Sequence, residues 1–164
     1  MSILRVAGAV AFVVAASSLA AADERIDVAK IIDKAAAEAI LETDAKDPRP
    51  INVAGKDGYY SKCNYYSTGP GKLLILRLYQ AAAGYDASKE LDHVHATSGL
   101  TKTISGLGDK AEIASGSGSG LSENVSMLYV VKGTTLVTVG LRGFDEDTAA
   151  EKMKTVAKTI LEHL

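Results

Sequence analysis

The chain has 164 residues, 47% of them hydrophobic, with 18 basic against 20 acidic side chains and a formal net charge of −2. This mild, interspersed acidity, with no basic stripe, argues against nucleic acid or an anionic lipid surface as the main partner. Cys63 is the only cysteine, so no intramolecular disulfide can form and stability has to come from packing.

Residues 1 to 22 read as a secretory signal peptide. Arg5 gives a positive n-region, Val6 to Ala16 (VAGAVAFVVAA) is an unbroken apolar and small run, and Ala20-Ala21-Ala22 places small residues before Asp23. The run is far shorter than the ~20 apolar residues that cross a bilayer. No cysteine stands at the cleavage site for a lipid anchor. Export to the periplasm or beyond, with no stable membrane insertion after cleavage, is the expectation. Loss of Arg5 leaves 17 basic against 20 acidic residues, a balance of −3, in a mature chain of residues 23–164. That length suits a single domain with a full core.

In residues 26–43, Val28, Ile31, Ile32, Ala35, Ala39 and Ile40 recur at helical spacing opposite Lys30, Lys34, Glu38 and Glu42, which predicts one amphipathic helix. Asp47-Pro48-Arg49-Pro50 ends it. The stretch from Gly55 to Gln80 predicts strand, turn, strand, with turns at Asp57-Gly58 and Gly69-Pro70-Gly71. In its second strand Leu74, Leu76 and Leu78 share one face, and Leu73, Ile75, Arg77 and Tyr79 the other, as in a central strand covered on both sides. Residues 86–97 predict a short helix capped by Asp86, with Leu91 and Val94 inward. Lys110 to Ser115 predicts a strand, and Gly116 to Gly120 (GSGSG) a flexible loop. "SMLYVVKGTTLVTVGL" predicts a hairpin that sets Leu128 and Val130 against Val137, Val139 and Leu141 across a turn at Lys132-Gly133. Asp145 or Asp147 then caps a terminal helix with Ala149, Met153, Val156, Ala157, Ile160, Leu161 and Leu164 inward. The order of elements, without βαβ alternation, predicts an α+β domain with a largely antiparallel sheet.

The glycine-rich "SGLGDKA" at 105–111 lacks the third glycine and the following helix of a dinucleotide fingerprint. It reads as a structural turn, with Gly106 and Gly108 at positive φ, Leu107 in the core and Asp109 accepting backbone hydrogen bonds. Gly71-Lys72-Leu73 lacks the hydroxyl residue and upstream glycine of a P-loop. Alternation in "YYSKCNYY" puts Tyr59, Ser61, Cys63 and Tyr65 on one face and Tyr60, Lys62, Asn64 and Tyr66 on the other. Cys63 is then a buried thiol or, on the sharper reading, a reactive or dimer-forming one. His93 and His95 suggest a metal site, but two residues apart on a helix they point about 200° apart, and solvated surface histidines are the simpler expectation. Six tyrosines fall between 59 and 85, either as a cross-strand ladder or as a ligand groove. The face carrying Tyr60, Tyr66, Arg77 and Tyr79 is the best recognition surface the sequence offers. No Ser-His-Asp order, paired carboxylates or HExxH motif appears.

The succession of Cys63-Asn64-Tyr65, a leucine-rich strand, a helix, "ISGLGDKA", "LYVVKGTTLVTVGL" and the terminal helix resembles small exported bacterial proteins of uncharacterised function. That group includes lipoprotein relatives and is similar to the PsbP-like α/β/α sandwich. The resemblance covers most of the mature chain and implies an antiparallel sheet covered by helices on both faces, with no agreed active site. The lipoprotein relatives commonly carry a second cysteine upstream, where this chain reads Ala39-Ile40-Leu41, so their disulfide does not carry over. Together these features describe an exported, non-catalytic binding or interaction domain, monomer or weak dimer, needing no cofactor, whose partner is an envelope protein or a small ligand. The other readings are a redox protein or enzyme using Cys63, or a metal-binding protein using His93 and His95.

Overall fold

The computed structural model describes residues 25–98, 101–116 and 124–164, with the side chains of the third helix described as far as Val94. The leader expected over 1–22, most of the Ser/Gly loop and the His95 side chain lie outside the described residues. In chain order the elements are α1 (Val28–Ile31), α2 (Lys34–Leu41), β1 (Ile51–Ala54), β2 (Gly58–Tyr66), β3 (Leu73–Ala81), α3 (Ala87–Ser98), β4 (Lys102–Ile104), β5 (Lys110–Ser115), β6 (Val125–Lys132), β7 (Thr135–Arg142) and α4 (Glu146–Leu161). The strands form one seven-stranded sheet in the order β1-β2-β3-β7-β6-β5-β4, with every neighbouring pair antiparallel. The chain is α+β, and among the described residues no helix is long and apolar enough to cross a membrane.

Strand alternation sorts the apolar side chains into two clusters. In the first, Cys63 and Tyr65 of β2, Leu74, Leu76 and Leu78 of β3, Leu128 and Val130 of β6 and Val137, Val139 and Leu141 of β7 pack with α1, α2 and the Met153–Val156–Ala157–Ile160 stripe of α4. In the second, Tyr79, Met127, Tyr129, Val131 and Leu136, from the alternate strand positions, pack with Ala87 and Leu91 of α3. β3 is an interior strand, as its two apolar sets require. The hairpin also has the register that its alternation predicts, Leu128 opposite Val139 and Val130 opposite Val137.

The predicted helix over 26–43 is two helices. Asp33 interrupts it by accepting the Ala36 N–H as an N-cap. The break is held from β2, where the Ser61 hydroxyl accepts the Val28 N–H at 2.9 Å and the Tyr65 hydroxyl donates to the Ile32 carbonyl. The buried set is therefore Val28, Ile32, Ala37 and Leu41, while Ala35 and Ala39 are exposed. Two edge strands, β1 and β4, are absent from the sequence reading because each is too short for an alternation pattern to register. α4 is capped by Asp145, which accepts the Thr148 N–H at 2.9 Å. Leu164, expected in its stripe, lies beyond the helix end and is 37% exposed.

The turn at 105–109 packs tightly. Gly106 and Gly108 have φ of +75° and +62°, Leu107 is buried in the first cluster, and the Asp109 N–H donates to the Val131 carbonyl at 2.7 Å. The Asp109 carboxylate in turn accepts the Gly133 N–H at 2.7 Å, which ties this turn to the β6–β7 turn.

Candidate functional site

The residues singled out by the sequence fall in three places. Cys63 is on the sheet face that packs with α1, α2 and α4, fully buried. Burial pushes its thiol above the ordinary range, the opposite of what a thiolate nucleophile needs. Neighbouring Tyr65 is also buried, and its phenol is raised chiefly by that burial. His93 is exposed on α3, and His95 has no described side chain. Tyr60, Tyr66, Arg77 and Tyr79 share the other sheet face, because Tyr60 pairs with Tyr79, Lys62 with Arg77 and Tyr66 with Leu73 across β2 and β3.

On that face the cross-strand pairing builds two rows. One runs Val53, Tyr60, Tyr79, Leu136, Val131 and the other Ile51, Lys62, Arg77, Thr138, Tyr129, Glu112. α3 covers the interior part of these rows through Ala87 and Leu91 and stops short of β1. A cavity of about 520 Å³ remains between the helix and the strands, with Tyr60, Tyr79, Tyr129, Leu136 and Thr138 on the sheet side, Glu90 and Val94 on the helix side, and Lys62 and Arg77 at its open margin. Its walls mix aromatic and aliphatic surface with the polar groups of Ser61, Thr138 and Glu90. Exposed Lys62 and Arg77 place two cations side by side on adjacent strands.

The aromatic side of the cavity is fixed. The Tyr60 and Tyr79 rings stack with centroids 4.7 Å apart at 22°. Both hydroxyls turn to Asp57, Tyr60 donating to its carboxylate and Tyr79 donating to its carbonyl at 2.8 Å. Burial first, and then the hydrogen bond to Asp57, pushes the Tyr60 phenol well above its ordinary value. Burial, and then the Asp57 charge, also raises the Tyr79 phenol. Both rings therefore stay neutral and present flat apolar surface with a polar rim. Tyr66, 47% exposed, lies apart, on a second cavity of about 590 Å³ shared with Lys46, Arg49, Lys62 and Asn64. So of the four recognition residues the structure brings Tyr60, Tyr79 and Arg77 to one groove and leaves Tyr66 beside it.

Sequence reasoning did not include Glu90, Tyr129 or Thr138. Thr138 had a signal, since it replaces an apolar residue in the alternation of β7. Glu90 had none, because its place depends on where α3 docks. Among the described residues no three His, Cys, Asp or Glu side chains come together as a metal site would require. Comparison with protein-family models, with curated proteins and with solved structures finds no match to this chain.

Proposed function

We propose that this chain is an exported, non-catalytic binding domain of the bacterial envelope, laid out as a PsbP-like three-layer sandwich, and that it holds a small ligand or peptide group in the groove beneath α3. The observation that carries the reading is the groove itself. It combines a pre-formed aromatic wall with two adjacent cations and a single acid, the mixture of apolar surface and few convergent polar groups that ligand sites use. The occupant that fits is a compact apolar or aromatic body carrying one acidic group, with the body against Tyr60 and Tyr79 and the acid toward Arg77 and Lys62. The redox alternative has less support, since Cys63 is buried on the other face. Export rests on the pattern of residues 1–22, and mass spectrometry of the native protein should find Asp23 as its first residue.

Binding can be read without a label, because the chain has seven tyrosines and no tryptophan. A panel of aromatic and aliphatic carboxylates should quench tyrosine fluorescence saturably. Arg77→Ala should weaken that binding by roughly tenfold, the worth of about 1.4 kcal/mol, while leaving the melting temperature of the free protein unchanged. Equal affinity for the carboxylates and for their amides, in parent and variant alike, would remove this reading.

A further inference from the structure

β1 ends the sheet, and its backbone can be oriented from the bonds around it. The Gly55 N–H donates to the Gly58 carbonyl at 2.7 Å and the Lys46 N–H to the Tyr66 carbonyl at 2.8 Å, whereas the Ser67 N–H donates to the Lys72 carbonyl at 3.1 Å and the Ala82 N–H to the Asp57 carbonyl at 2.8 Å. Even-numbered residues of β2 therefore turn their backbone groups toward β1, and odd-numbered ones toward β3. Since bonded and non-bonded pairs alternate along an antiparallel ladder, Ile51 and Val53 bond inward to their partners Lys62 and Tyr60. Asn52 and Ala54 aim their N–H and C=O groups away from the sheet, and among the described residues nothing pairs with them.

We propose that a second copy of this chain takes this edge, β1 against β1, antiparallel about a two-fold axis through Val53. The proposal does not rest on the groove beneath α3. In that register Asn52 faces Ala54 of the second copy and the outward groups of both copies satisfy one another. No other register centred on the strand pairs both outward residues. The two Val53 side chains meet at the axis as a non-bonded pair, Cα atoms about 4.5 Å apart. They extend the Tyr79–Tyr60–Val53 row of each copy into one continuous apolar row across the dimer. Ile51 falls opposite Gly55 of the second copy, which has no side chain in its way.

Exposure points the same way. Ile51 and Val53 are 49% and 52% exposed, on a strand with no charged residue. Natural edges are usually blunted by lysine or by a bulge, and the far edge strand β4 does carry exposed Lys102. Pro50 and the turn at Lys56-Asp57 confine the pairing to β1. The interface is therefore small, and the dimer weak and dependent on concentration.

Sedimentation velocity over a concentration series into the millimolar range should show the mean mass rising toward twice that of the monomer. Asn52→Pro removes an outward N–H that no bond inside the fold uses, so it should abolish the rise with circular dichroism and melting unchanged. Should that variant misfold, Val53→Lys, which places two like charges at the axis, serves the same purpose. Val53→Cys should form a disulfide dimer under mild oxidation, because a Cα separation of about 4.5 Å lies within disulfide reach. Ile51→Cys should not, its equivalents lying about 13 Å apart along the strands. A protein that stays monomeric into the millimolar range overturns the proposal. So does a dimer that survives both substitutions, cross-linking of Ile51→Cys as readily as Val53→Cys, or an edge that takes only another protein's strand.

Discussion

Substituting alanine at the two glycines of the 105–109 turn should give very different losses, although both have positive φ. At Gly106, φ is +75° and an added Cβ meets nothing within 4 Å. Only the left-handed backbone is penalised there, by about 1 kcal/mol. At Gly108, φ is +62° and the Cβ would stand 2.5 Å from the Val131 carbonyl oxygen and 2.6 Å from Val130 Cγ1. The first is backbone of an interior strand and cannot swing aside. Relief requires the turn to move away from β6, which lengthens the bond from the Asp109 N–H to that same carbonyl, worth about 0.5–1.5 kcal/mol. Adding this to the conformational penalty and some repacking strain gives about 2–4 kcal/mol for Gly108→Ala. Urea unfolding followed by circular dichroism measures both variants. Gly106→Ala should shift the midpoint modestly, and Gly108→Ala should lower it by about 0.7 M or more at an ordinary slope of 1–3 kcal/mol/M. Equal losses at the two positions, or a loss at Gly108 no larger than the backbone penalty, would refute the close approach.

Tyr60, Tyr65 and Tyr79 all have phenols raised above the ordinary value of 10.0, each primarily by burial. A raised folded-state pKa stabilises the fold below the unfolded value, and that contribution is lost as pH climbs through the folded one. Stability should thus hold up to about pH 10 and fall above it, and tyrosinate absorbance should show a fraction of the phenols ionising only with unfolding. A titration in which all seven tyrosines ionise together near pH 10 would contradict the packing around Asp57 and Ile32. Cys63, buried and with its thiol raised, should react with a thiol reagent only as fast as the protein opens. Labelling of the native protein at the rate of a free thiol would place Cys63 elsewhere.

How much was legible depended on the range of the interactions. The β6–β7 hairpin and the α4 stripe could be read because alternation and helical periodicity are local, and a short turn or one capping aspartate finishes each. The interior position of β3 followed from leucines on both alternations. By contrast, the interruption at Ile32-Asp33 interrupts a good helical pattern, and what holds it is Ser61 and Tyr65, 33 residues away in each bond. The tyrosine cluster was visible as a density of residues. Its division into a groove wall at Tyr60 and Tyr79, a buried hydrogen-bonding group at Tyr65 and a separate exposed ring at Tyr66 was not.

By itself the sequence determined which side chains share a strand face, where positive φ is needed, and that an antiparallel α+β arrangement follows, since these depend on backbone geometry and on neighbours within a few residues. Only the tertiary structure decided that α3 docks over the interior strands and leaves β1 bare, and so where the groove opens and which apolar side chains at the edge stay exposed. That choice belongs to long-range packing: it depends on how Ala87 and Leu91 fit among side chains of β3, β6 and β7, and no local pattern in the chain encodes that fit.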